Sequence, residues 1–89
     1  MIKFVVDIKR EIVALGGELH ADAEEILLRD GSKQKDLWGG NFYPNQPKNI
    51  QIEYTALINI RPSHGNNSME IKDRKIRNEL VKVLDKLLP

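Results

Sequence analysis

IQIEYTALINIR, residues Ile50–Arg61, is the stretch on which the reading of the fold turns. Its even positions, Ile50, Ile52, Tyr54, Ala56, Ile58 and Ile60, are all apolar. The odd positions Gln51, Glu53, Thr55, Asn59 and Arg61 are polar, and Leu57 is the one departure. Successive side chains of a strand point to opposite faces, so this alternation predicts a single long strand with one buried and one open face. Pro62 cannot donate to a ladder and ends it.

Working outward, Ile2–Lys9 (IKFVVDIK) alternates in the same way, with Val5 as its exception. A turn near Lys9-Arg10-Glu11 leads to Ile12–Leu15, short and apolar on both faces, and Gly16-Gly17 ends that strand. The two strands read as a hairpin, and the absence of Asn-Gly or Asp-Gly predicts a turn longer than two residues. In HADAEEILLRDG, Asp22 followed by Glu25 has capping-box spacing and Gly31 suits a C′ position, which predicts a helix over about 22–30. A hairpin turning at Asp30-Gly31-Ser32 is the alternative. Residues 32–49 read as loop with a brief strand at Trp38–Tyr43 and a turn around Pro44-Asn45-Gln46-Pro47. Beyond Pro62, Asp73 caps a stripe of Ile76, Leu80, Val83, Leu84 and Leu87 at helical spacing. The order is ββαββα. It predicts an α+β domain of two layers, a mostly antiparallel sheet with both helices on one face.

Eighty-nine residues make one domain, 1–89, too small for a second core. The chain has no cysteine, which excludes disulfides, thiolate metal sites and cysteine nucleophiles. No apolar run approaches the roughly 18 residues of a membrane span. A soluble, cytoplasmic protein with no membrane partner is expected. The net charge is +1. Residues 1–47 carry six basic and eight acidic groups, and residues 48–89 carry eight and five. Nucleic-acid readers run to a pI above about 9, against 8.0 here, so a nucleic-acid partner is not expected.

Val5 and Leu57 both fall mid-strand on the predicted open face. With the outward side of Val13 and Leu15 they form an apolar patch, which argues for a symmetric homodimer pairing those faces or an edge strand; a loop carrying Trp38 folded across the patch is the alternative.

INIRPSHGNNS (Ile58–Ser68) carries the candidate chemistry. A strand end followed by a small-residue turn can gather backbone N–H groups around an anion, with Arg61 as a bidentate clamp. Arg61, Ser63, His64, Asn66 and Ser68 are the candidate ligands, with His20, Asp22 and Trp38 as neighbours if the Gly16-Gly17 turn folds towards them. Neither GxxxxGK[ST] nor GxGxxG is present, and turn chemistry alone explains most of these residues. The histidines show neither HExxH nor paired-ligand spacing, so no metal or other cofactor is expected.

GGELHADAE (16–24), DGSKQKDLWGGNFYP (30–44) and INIRPSHGNNS (58–68) together resemble a family of small bacterial and archaeal proteins of unknown function, over nearly the whole chain. The resemblance implies no activity, cofactor or site. The resemblance also implies an extra helical segment at the start of many members, one that would cover an apolar face; the sequence at hand opens directly on the first strand.

The leading expectation is a binding or interaction module with a small-anion site at 61–68. A second reading is a small histidine-dependent hydrolase or metal-dependent enzyme using His20 and His64 with Asp22 or Glu18. The third is an RNA-binding module using the open sheet face and the basic side of the last helix.

Overall fold

The computed structural model describes residues 1–88. Four strands, β1 (Ile2–Asp7), β2 (Ile12–Leu15), β3 (Leu37–Phe42) and β4 (Ile52–Glu53), form one antiparallel sheet in the order β2-β1-β3-β4. Helix α1 (His20–Arg29) lies between β2 and β3, and α2 (Arg74–Leu87) follows β4. The fold is α+β with the ββαββα order. The β1–β2 turn is four residues long. Asp7, fully buried, organises it by accepting from the N–H groups of Lys9 and Arg10, both at 2.9 Å.

The helices do not share a face. Phe4 and Val6 of β1 pack with Trp38 against Leu80, Val83 and Leu84 of α2. Val5 points the other way and packs with Leu37 against Ala23 and Leu27 of α1. The sheet is the middle of three layers, which corrects the two-layer expectation. The apparent exception in IKFVVDIK was the signal: a strand covered on both sides reads as a continuous apolar run, here Phe4-Val5-Val6. Val5 is fully buried, and Leu57 is exposed in a short 3₁₀ turn rather than on a strand. No open sheet face at Val5 and Leu57 exists for a second copy or an RNA to meet.

The long strand is also corrected. Pairing with β3 stops after Ile52 and Glu53, and Thr55 then bridges to Glu70. The chain turns at Leu57–Asn59 and brings the Asn59 side chain to β3 in place of a backbone ladder. The Asn59 amide donates to the Gly39 carbonyl and its oxygen accepts from the Gly39 N–H, both at 2.9 Å. A side-chain amide has the same donor and acceptor as a peptide group, so Asn59 serves as one more rung. Residues 50 and 60, apolar by pattern, are consequently exposed.

β3 begins one residue earlier than expected and lies between β1 and β4, with Gly39-Gly40 inside it. These glycines serve close approach. A Cβ on Gly40 would stand 2.6 Å from the Phe4 ring, and one on Gly39 would stand 2.9 Å from the Ala56 Cβ.

Both helix starts depend on an aspartate, in different ways. Asp73 is the N-cap of α2 and accepts from the Lys75 N–H at 2.8 Å. Asp73→Ala is expected to lower stability by about 1 kcal/mol, read as a shift of the urea midpoint with unchanged slope. α1 begins earlier than predicted, with Leu19 as N-cap. Asp22 is therefore the third helical residue, and its carboxylate reaches back to the Leu19 N–H at 3.1 Å. That is the carboxylate half of a capping box.

Candidate functional site

Ile58–Ser68 is an ordered loop whose polar residues divide into two groups. Three of them point inward. Asn59 is fully buried and, besides pairing with Gly39, donates to the Met69 carbonyl at 3.0 Å. Asn66 is 4% exposed, and its amide is shared among the carbonyls of Asn59, Ser68 and Glu70, while its oxygen accepts from the Lys72 N–H. Arg61 lies over the Trp38 ring at 4.4 Å and donates to the Leu37 carbonyl. Burial pushes its guanidinium below the ordinary arginine value, partly offset by Glu24 and Asp36. The backbone of Arg61 pairs with that of Asn66 in both directions, closing the loop around a 3₁₀ turn at Pro62–His64 and a left-handed Gly65 at φ +76°.

Ser63 and His64 point outward, and the Ser63 hydroxyl lies 3.1 Å from His64 Nδ1. Ser68 is half-buried, and its hydroxyl bonds only the Glu70 backbone. An anion at this loop would meet Ser63 and His64. The Arg61 guanidinium faces β3 with Nε and Nη1 out of reach of solvent. Trp38 belongs to the core beneath Arg61 and is no exposed platform.

His20 is drawn elsewhere. Its Nε2 lies 2.7 Å from the Gly40 carbonyl. A carbonyl only accepts, so Nε2 carries a proton and donates it to Gly40. This bond holds the start of α1 to β3 beside a cavity of about 350 Å³. Leu19, His20, Asn41, Leu57, Ile58 and Met69 supply much of its wall. Four of its side chains, Met1, Leu19, Leu57 and Met69, are large apolar groups left 41–69% exposed. Its polar members are Lys3, His20, Thr55 and Asn41, of which Asn41, 8% exposed, donates to Glu53 at 2.7 Å. The other amide atom, Oδ1, is buried without a hydrogen-bond partner. Asp7 Oδ2, Glu24 Oε2, Trp38 Nε1 and two Arg61 nitrogens share that state among the described residues, but of these residues Asn41 alone lines this cavity.

A larger hollow of about 690 Å³ lies between β4 and α2, lined by Phe42, Tyr54, Leu84 and neighbours. It gathers none of the exposed large apolar side chains and no unpartnered buried polar atom. The smaller cavity has the composition of a binding site, apolar walls with a few directed polar groups. Among the described residues, no group of three or more histidines and carboxylates is placed to hold a metal, and no helix is long and apolar enough to cross a membrane.

Next to the loop, Arg77 hydrogen-bonds Glu70 and holds its carboxyl below the usual range, with Lys72 adding to the effect. A depressed carboxylate contributes stability above its unfolded pKa and loses it as pH falls through the folded value. Glu70→Gln is therefore expected to shrink the fall in thermal midpoint on acidification below about pH 4.5, measured by circular dichroism. Glu70 is exposed, so the effect is small.

The residues that sequence reasoning missed are Asn41, Asn59, Leu19 and Met69. Asn59 carried one signal, a small amide among strand-forming residues. Asn41 carried none beyond following two glycines.

No curated protein and no solved structure matches the chain. A family model described as "Protein of unknown function (DUF5674)" matches residues 1–87, and the chain belongs to that family.

Proposed function

We propose that this protein is a binding module whose recognition site is the cavity between the start of α1, β3 and the Leu57–Asn59 turn. The ligand class that suits it is a small molecule with an apolar body and one N–H or O–H donor. Met1, Leu19, Leu57 and Met69 would surround the body, and Asn41 Oδ1 would accept from the donor. The observation that carries the reading is the coincidence of these groups: the exposed apolar side chains and the unpartnered buried acceptor line one cavity of about 350 Å³. That volume is at the lower end of the range for ligand sites. Methionine walls suit ligands of varied shape, because the unbranched thioether repacks easily.

A small-anion site at the loop is the second reading, supported by the exposed Ser63 and His64 side by side next to Gly65. One experiment separates the two. A ¹H–¹⁵N correlation spectrum is titrated with hexanamide, and separately with inorganic phosphate. The cavity reading predicts saturable shifts at Ala21, Asn41, Leu57 and Met69 with hexanamide, at an affinity on the order of 1 mM for so small a ligand. Phosphate shifts confined to Ser63–Ser68, with no response to hexanamide, would replace it with the anion reading. A spectrum unmoved by both contradicts each.

A further inference from the structure

We propose that a second copy of the chain docks along the outer edge of β2, joining two four-stranded sheets into one of eight strands. The first observation is the direction of the backbone groups. The Gly16 N–H donates to the Lys3 carbonyl at 2.7 Å, and β2 runs antiparallel to β1 with Ala14 opposite Val5 and Ile12 opposite Asp7. Hydrogen-bonding direction alternates along an antiparallel strand, so Gly16, Ala14 and Ile12 turn their groups to β1. Val13 and Leu15 turn theirs outward, where no further strand of the sheet lies.

The second observation is the composition of this edge. Its one protection is its shortness, four residues, and Ile12-Val13-Ala14-Leu15 contains no proline and no lysine or other charge to discourage pairing. The opposite side of the sheet is handled otherwise: β4 covers one end of β3, and Asn59 satisfies Gly39 beyond it.

The edge is also self-complementary. A two-fold axis at Ala14 sets Val13 of one copy opposite Leu15 of the other, and both residues have outward groups. Four backbone hydrogen bonds follow, whereas a slip of one residue would set outward groups against inward ones. The antiparallel arrangement brings the Lys9-Arg10-Glu11 end of one strand towards the Glu18 end of the other; Arg10 is engaged by Asp30 and Glu11 by Lys86, which leaves Lys9 to face the partner's Glu18. Leu15 is 50% exposed and Ile26, beside β2 on α1, is 63% exposed. Both would be covered, as suits an isologous contact.

The test combines mass with amide exchange. Light scattering of the intact chain at micromolar concentration is expected to give twice 10.2 kDa. The Val13 and Leu15 amides are expected to exchange slowly in that dimer, although no bond within one chain protects them. Leu15→Lys, at a half-exposed position, is expected to return the mass to that of one chain, and Leu57→Lys to leave the dimer intact. A monomeric wild type overturns the proposal. So does a dimer in which Val13 and Leu15 exchange at unprotected rates, since its contact then lies elsewhere. Should Leu15→Lys fail to fold, the wild-type mass and exchange rates decide the matter without it.

Discussion

Asn59→Ala is expected to destabilise the protein by roughly 3–5 kcal/mol, the largest effect of any single truncation in the loop. The substitution removes three hydrogen bonds at once and leaves the Gly39 N–H and the Gly39 carbonyl without partners, while the Met69 carbonyl keeps only the Ala56 N–H. Each unsatisfied buried backbone group costs about 1–3 kcal/mol, and the total is held down where water can enter the space. A chain of 89 residues has about 4–13 kcal/mol of stability in all, so the variant would be barely folded. Asn67→Ala, at an exposed neighbour in the same loop, is expected to change stability by less than about 0.5 kcal/mol. Parallel urea titrations of the two variants check the contrast. Equal and small losses would mean that the Asn59 amide does not act as a rung of the sheet.

Gly40→Ala is expected to cost about 3 kcal/mol, although alanine is the mildest replacement glycine can receive. The new methyl would stand 2.5 Å from the Glu53 carbonyl and 2.6 Å from the Phe4 ring. Neither neighbour can retreat cheaply, because one is backbone paired to β3 and the other is fully buried against α2. The clash makes a second, sharper expectation. In a Phe4→Leu background the ring atoms are gone, so Gly40→Ala should cost less than it does in the wild type. A double-mutant cycle by thermal or urea unfolding reads that coupling, and additivity would show that Phe4 is not what the methyl meets.

How far the sequence foretold this fold can be argued residue by residue. α2 was legible because its cap and its stripe are local signals: Asp73 bonds within its own turn, and Leu80, Val83 and Leu84 follow helical spacing onto one face. β1 was legible as a strand, but its covering on both sides was hidden in a single residue, Val5. IQIEYTALINIR misled for a physical reason. Alternation reports which side chains can be buried together, and it does not report whether a neighbouring backbone remains available to pair. Asn59 supplies that pairing through a side chain, so the strand ends where the pattern continues. Gly39-Gly40 misled in the opposite direction. Glycine reads as a turn when judged by backbone freedom, yet here it is present because Phe4 and Ala56 occupy the space of a Cβ.

The candidate site was legible only in outline. Arg61, Asn66, His20 and Trp38 are structurally important, as their unusual residue types suggested, but each is committed to the fold by a bond or contact across the chain. For Arg61 and His20 those partners lie 20 to 24 residues away in sequence, where no local pattern reaches, whereas Asn66 bonds groups within seven residues. The cavity was invisible for the same reason, since Met1, Leu19, Leu57 and Met69 come from four separate segments.

The central claim is that Ile58–Ser68 is a structural clasp on β3, made by the buried amides of Asn59 and Asn66. Hydrogen exchange of the asparagine side chains, followed by ¹H–¹⁵N spectroscopy, tests it most directly. The account predicts slow exchange for the Asn59 and Asn66 side-chain amides and for the Gly39 backbone N–H, with fast exchange at Asn67. Fast exchange at Asn59, Asn66 and Gly39 alike would contradict it, and would describe an open loop beside an unpaired stretch of strand.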